Sequence, residues 1–152
     1  MMDAGPSLVL ANLFATLTMF GVIWVVQLVH YPLFAGVGAD GFVAYEAAHK
    51  VRITWIVFPA MLLELGTAVA LLWLRPEVVP PWMVWAGLAL VGIVWLSTAL
   101  VQVPLHSTLS AGFDADAHAR LVATNWVRTA AWTLRAGLVL WMTGLLVSSS
   151  GS

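Results

Sequence analysis

Apolar residues run in four long blocks along the chain, at 8–29, 53–74, 82–103 and 130–147, and most polar residues fall between them. Each block has about the 17–25 residues that an α-helix needs to cross a hydrocarbon core. The pattern predicts helices at 7–31, 42–74, 82–109 and 115–147 within a single domain, 1–147, followed by a flexible Ser/Gly tail at 148–152. The second helix is longer than a bilayer requires, so its first turns are expected at headgroup depth. Pro76, Pro80 and Pro81 mark one connection, and Gly112, Phe113 and Asp114 another. Asp114 or Asp116 is placed to N-cap the last helix, where an acid suits the helix dipole. The predicted fold class is all-α, an integral membrane four-helix up-down bundle, because short connections make consecutive helices antiparallel neighbours.

This topology brings the end of the first helix, the start of the second, the end of the third and the start of the fourth to one membrane face. His30, Glu46, His49, His106 and His118 all fall at those four places. Trp73, Trp82, Trp85 and Trp141 fall at the opposite end, as an aromatic belt. Lys50, Arg52 and Arg120 sit at the histidine face against Arg75 at the other, so the positive-inside rule places the histidine end in the cytoplasm.

Composition narrows the class. The chain is 62% hydrophobic and 9% charged, with 9 Trp, which a soluble domain of 152 residues could not cover with polar surface. The first block is too long for a signal-peptide core and lacks a basic flank and a small-residue cleavage site, so it is expected to span. With no cysteine, thiolate catalysis, iron–sulfur clusters and Cys-based zinc sites are excluded. A net charge of −1 without a basic patch gives no nucleic-acid footprint and no anionic-lipid anchor.

Ionisable groups are costly in lipid, so a gathering of them marks a functional site. Glu46 and His49 form a Glu-x-x-His pair whose side chains project from one helix face. With His30 and His106 they make a candidate mononuclear metal set: His30, Glu46, His49 and His106, suited to Fe, Cu, Zn or Mn. The same His30, His49 and His106 are candidates to hold a haem. The competing reading is of interfacial residues whose polar tips snorkel to water. Gln27 is expected to share a face with His30, and Gln102 with His106. Pro32, Pro59 and Pro104 are expected to bend the helices and open a pocket toward lipid at this end.

The fourth helix carries His118, Asn125, Arg128 and Arg135 near one face. Arg128 and Asn125 are the candidate catalytic pair, Arg128 for an anion or oxyanion and Asn125 to orient a carbonyl or a water. Glu64 and Arg135 lie inside apolar blocks at similar depth, where an unpaired charge would be expensive. They are expected to pair, helped by Asn12 and Thr16.

The segment Trp95-Leu-Ser-Thr-Ala-Leu-Val-Gln-Val-Pro-Leu-His-Ser-Thr-Leu, followed by Asn125-Trp-Val-Arg-Thr-Ala, resembles the anthrone oxygenase-like family of small integral membrane proteins. Val103, Pro104, Leu105, Arg128 and Thr129 match that family's motifs. Gln102 and His106 stand where it usually has Asn, and the order of Asn125 and Trp126 is reversed. The first half, through Trp24, Tyr31-Pro-Leu-Phe, Glu46 and Pro59, is faintly similar to the small membrane haem-binding protoporphyrinogen oxidases. Both resemblances imply oxidation of a flat, lipophilic substrate.

The leading expectation is therefore a membrane-embedded oxidoreductase acting on a lipophilic aromatic, quinone-like or lipid substrate at a His/Glu metal or haem site. Trp24, Trp55, Trp95, Trp126 and Trp132 are candidates to line its pocket. Within it, one His could instead act as a base on an acidic C–H without any cofactor, Arg128 and Asn125 holding the oxyanion. The alternatives are a non-redox membrane enzyme (isomerase, cyclase or transferase) and a transporter or accessory subunit, with a homo-oligomer possible in each case.

Overall fold

The computed structural model describes residues 4–150, the last of these by its backbone alone. They fold into a four-helix bundle of α1 (Ala4–Gly36), α2 (Ala39–Leu74), α3 (Pro81–Leu109) and α4 (Ala115–Ser150), with no strand among the described residues. All four helices are long and apolar enough to cross a membrane. Helix α1 packs along α2 and α4, and α3 packs along α4 and less closely along α2.

Local chemistry sets the helix boundaries. Gly38 has φ of 82° and breaks the chain between α1 and α2, a conformation that disfavours any residue with a Cβ. Pro81 opens α3 at the position where a missing N–H costs nothing. The Asp114 carboxylate accepts from the Ala117 N–H at 2.7 Å, so Asp114 is the cap of α4 and Asp116 lies in its first turn. The helix continues through Ser148 to Ser150, where a flexible tail was expected; Gly151 and Ser152 lie outside the described residues.

The three prolines differ in their local effect. Helix α2 runs unbroken through Pro59. Before Pro32 and Pro104, by contrast, the helices widen into π-turns at Val26–His30 and Thr98–Gln102. A proline ring collides with the carbonyl four residues earlier, and one extra residue in the preceding turn moves that carbonyl aside. Tyr31 N–H then donates to the Val26 carbonyl, and Val103 N–H to the Thr98 carbonyl.

Polarity is distributed inside out. Large apolar side chains such as Trp55, Phe14, Leu100 and Leu134 point outward, whereas Asn12, Gln27, Glu46, Glu64, Gln102 and Arg135 are buried. Three apolar clusters stack along the bundle. One holds Phe34, Phe42, Leu105 and Leu121 at the histidine end, the next Met19, Met61, Val94 and Trp132, and the last Val9, Leu71, Met83 and Met142. Trp73, Trp82, Trp85 and Trp141 are exposed, with the rings of Trp82 and Trp141 edge to face at 5.7 Å.

Between the middle and last clusters lies a buried ion pair. Arg135 Nε donates to Glu64 Oε1 at 2.8 Å, Thr16 Oγ1 donates to the same oxygen at 2.8 Å, and Trp132 Nε1 donates to Glu64 Oε2 at 3.0 Å. The other end of the guanidinium donates to Asn12 Oδ1 at 3.0 Å and to the Gly87 carbonyl. The expected pairing of Glu64 with Arg135, with Asn12 and Thr16 assisting, is what the structure shows.

Removing one partner of a buried pair leaves the other charge uncompensated. Glu64→Ala is expected to destabilise the protein by ~3–5 kcal/mol, read by thermal unfolding in detergent. Glu77→Ala, in the exposed turn after α2, should change it by less than about 0.5 kcal/mol. Equal stabilities for the two variants would show that the buried pair contributes nothing.

Candidate functional site

The last turns of α1 and α3 and the first turns of α2 and α4 meet at one end of the bundle, and their polar side chains form a hydrogen-bonded chain. Glu46 Oε1 lies 2.6 Å from His106 Nδ1, and His106 Nε2 lies 2.9 Å from the Tyr31 hydroxyl. A carboxylate only accepts, so in a neutral His106 Nδ1 carries the imidazole proton and Nε2 accepts from the Tyr31 O–H. Glu46 and Tyr31 are buried, and His106 is nearly so. Beside this chain, His30 Nε2 lies 2.7 Å from His49 Nδ1. The His49 and His106 rings stack with centroids 5.4 Å apart. His118, also at this end, bonds through Nε2 to the Tyr31 carbonyl at 2.8 Å and so ties the start of α4 to α1.

A cavity of about 490 Å³ lies directly beneath, walled by α1, α2 and α3 and by Arg128 of α4. Its body is apolar, with Met19, Ile23, Ile53, Val57 and Met61 among the lining residues. Tyr31, His49, Gln102, His106 and Arg128 line its polar end, and Lys50 also lines it, donating to Ser110 Oγ at 2.6 Å. Thr54, Phe58, Ala99 and Val103 are exposed lining residues, so the opening lies between α2 and α3, the pair that packs less closely.

Hydrogen-bond directions around the cavity follow from fixed acceptors. Gln27 Nε2 donates to the Val122 carbonyl at 3.1 Å, so Gln27 Oε1 accepts from Asn125 Nδ2 at 2.9 Å. Asn125 Oδ1 in turn accepts from Arg128 Nη1 at 3.3 Å. Thr124 Oγ1 donates to the Arg120 carbonyl at 2.6 Å and therefore accepts from Gln102 Nε2 at 3.0 Å. The Arg128 guanidinium stands 5.3 Å from the centre of the Trp132 ring and within electrostatic reach of the Tyr31 phenol. It is buried and does not snorkel.

His30, Glu46, His49 and His106 thus reach the same end of the bundle, but as two separate hydrogen-bonded groups. Both ring nitrogens of His106 are engaged, and His30 and His49 are turned on each other. Among the described residues no three of His, Asp, Glu and Cys converge on a point that could hold a metal ion. His106 is engaged at both ring nitrogens, whereas His30 and His49 are each engaged at one, His30 through Nε2 and His49 through Nδ1. Of the catalytic candidates, Arg128 lines the cavity and Asn125 stands behind it, orienting the guanidinium.

Other expectations need correction. Gln27 does not face the same way as His30: it reaches α4, while His30 reaches α2, because the π-turn between them removes the α-helical register. Of the five tryptophans expected around the pocket, Trp95 lines it. Trp55 and Trp126 are exposed, Trp24 packs edge to face on Trp126, and Trp132 donates to Glu64. The structure adds Tyr31 to the site. Its position between His30 and Pro32, at the end of a polar-ended helix, was the available signal.

Comparisons with family models, with curated proteins and with solved structures returned no match. The site's geometry therefore carries the functional reading.

The chain Glu46–His106–Tyr31 predicts the Nδ1–H tautomer for neutral His106, observable by ¹⁵N NMR of histidine-labelled protein. Glu46→Gln should abolish that preference, since an amide can accept or donate. An Nε2–H tautomer in the unaltered protein would contradict the chain's direction.

Proposed function

We propose that the chain crosses the bilayer four times as an up-down bundle and is an enzyme that removes a proton from a lipophilic substrate held between α1, α2 and α3. The observation that carries this reading is the Glu46–His106–Tyr31 chain at the polar end of an apolar cavity. The outward-facing apolar surface supports the membrane setting, and the mouth between α2 and α3 then opens to lipid. Lys50, Arg52 and Arg120 at the histidine end favour a cytoplasmic location for it.

The chemistry follows from the order of the groups. As the Tyr31 oxygen takes a proton from an acidic C–H or O–H of the substrate, its own proton passes to His106 Nε2. The resulting imidazolium is balanced by Glu46, and the negative charge left on the substrate is met by Arg128, which Asn125 and Trp132 hold in place.

The resemblance to anthrone oxygenases supports an oxidative outcome, with dioxygen as oxidant. In that reaction a ring methylene and one dioxygen give a carbonyl and one water. One oxygen atom goes to carbon, and the other leaves with the two hydrogens. Proton removal generates the electron-rich anion that dioxygen oxidises, so the same residues serve either outcome.

The test uses anthrone with the protein in lipid nanodiscs. Under anaerobic conditions the wild-type protein should accelerate deuterium exchange at the anthrone methylene over empty nanodiscs. His106→Ala and Tyr31→Phe should each lower that acceleration by about 10²–10⁴-fold. Aerobic oxygen uptake that falls in the same variants would support the oxidoreductase reading, and exchange without uptake the non-redox one. No acceleration, or acceleration indifferent to both substitutions, would defeat the proposal.

A further inference from the structure

Helix α4 carries two buried arginines with contrasting surroundings. Arg135 meets Glu64 and has partners at each end of its guanidinium. Arg128 is 6% exposed and lines the cavity, yet it has no carboxylate partner among the described residues. Its Nε has no hydrogen-bond partner. A buried guanidinium without a counter-charge is costly, and buried polar atoms in native proteins are nearly always satisfied.

The same cavity holds further open groups. Gln102 is 1% exposed, and its Oε1 has no partner. Thr124 can only accept from the Gln102 amide nitrogen, so that open atom is the carbonyl oxygen and requires a donor. Trp95 Nε1, a donor, and Thr98 Oγ1 are also unpartnered, and both residues line the cavity. Four lining residues with unmatched polar atoms, set in an otherwise apolar wall, describe the complement of a ligand. Lys50, in the same lining, adds a second positive charge.

We propose that the cavity binds a lipophilic anion, with a carboxylate- or phenolate-type oxygen at Arg128, an apolar body along α1 to α3, and a hydroxyl or N–H donor at Gln102 Oε1. The proposal rests on the functional reading above, since the anion is the form in which that reaction leaves the substrate at the same site. A neutral lipophile leaves Arg128 uncompensated until it gives up a proton. An anion converts it into a charge-assisted pair in a low dielectric, where such pairs are strong.

Binding can be measured apart from catalysis. The protein in phosphatidylcholine nanodiscs is titrated by calorimetry with 2-naphthoate and with methyl 2-naphthoate, and partition into empty nanodiscs is subtracted. The naphthoate should bind saturably and at least about tenfold more tightly than the ester. It should also raise the unfolding temperature of the wild-type protein where the ester does not, a measurement that needs no variant. Arg128→Met should erase the discrimination, and Arg128→Lys should retain part of it. Equal binding of the two probes, or discrimination that survives Arg128→Met, would overturn the proposal. So would loss of naphthoate binding in phosphatidylglycerol nanodiscs at a salt concentration that screens the surface charge, which would assign Arg128 to a lipid headgroup. Discrimination without anthrone exchange would sink the proton-transfer reading and leave this one standing; exchange without discrimination would do the reverse.

Discussion

A charge enclosed by hydrocarbon must find its partner inside the protein, and that requirement organises this bundle. Apolar side chains are at home on either side of the helix surface when the surroundings are apolar, so burying them does little to select one packing over another. Polar groups are different, because each has an acceptor or donor that it must reach. Glu64 fixes α2 against α1 through Thr16 and against α4 through Arg135 and Trp132. Arg135 extends the constraint to α3 through the Gly87 carbonyl, where an added Cβ would stand only 3.3 Å from Nη1. One ion pair therefore registers all four helices.

The histidine end repeats the principle with a different outcome. Glu46 reaches α3 through His106, His106 reaches α1 through Tyr31, and His118 brings in α4 by binding the Tyr31 carbonyl. The two π-turns make this convergence possible. Each lies one step before a proline, and each adds a residue that rotates everything beyond it relative to the α-helical register. His30 and Tyr31 sit at the edge of one, and Gln102 closes the other. The prolines thus set which side chains face the cavity, and they do so through the turn that precedes them.

Much of the arrangement was legible in the sequence for reasons of cost. Four apolar blocks joined by short turns dictate which helix ends meet, and so which ionisable residues gather. The depth of Glu64 and Arg135 dictates that they pair, and Asn12 and Thr16 are the polar groups within reach. What was not legible depends on register. The α-helical spacing rule puts Gln27 beside His30, and a single widened turn sends them to different helices. Ring-nitrogen direction escapes the sequence altogether, so a metal set and a hydrogen-bonded chain look alike until the acceptors are placed. The tryptophans were unreadable for another reason: where a helix is apolar all round, the pattern does not say which face is buried.

The two arginines of α4 show where structure and function divide within one helix. Both are extended cations in apolar surroundings, and a static sum of polar residues would treat them alike. Arg135 is matched at every turn, and the bundle has the geometry that holds it. Arg128 is oriented with comparable care, through a chain running from the Val122 carbonyl by way of Gln27 and Asn125. That chain fixes the guanidinium without neutralising it. Positioning a charge while leaving it unmatched raises the energy of the empty site, a cost that the proposed anion would recover. Tyr31 and His106, the links of the neighbouring chain to Glu46, line the same cavity. In the proposed reaction a proton acceptor would stand beside a cation that meets the new anion, the pairing that stabilises charge separation in a low-dielectric site.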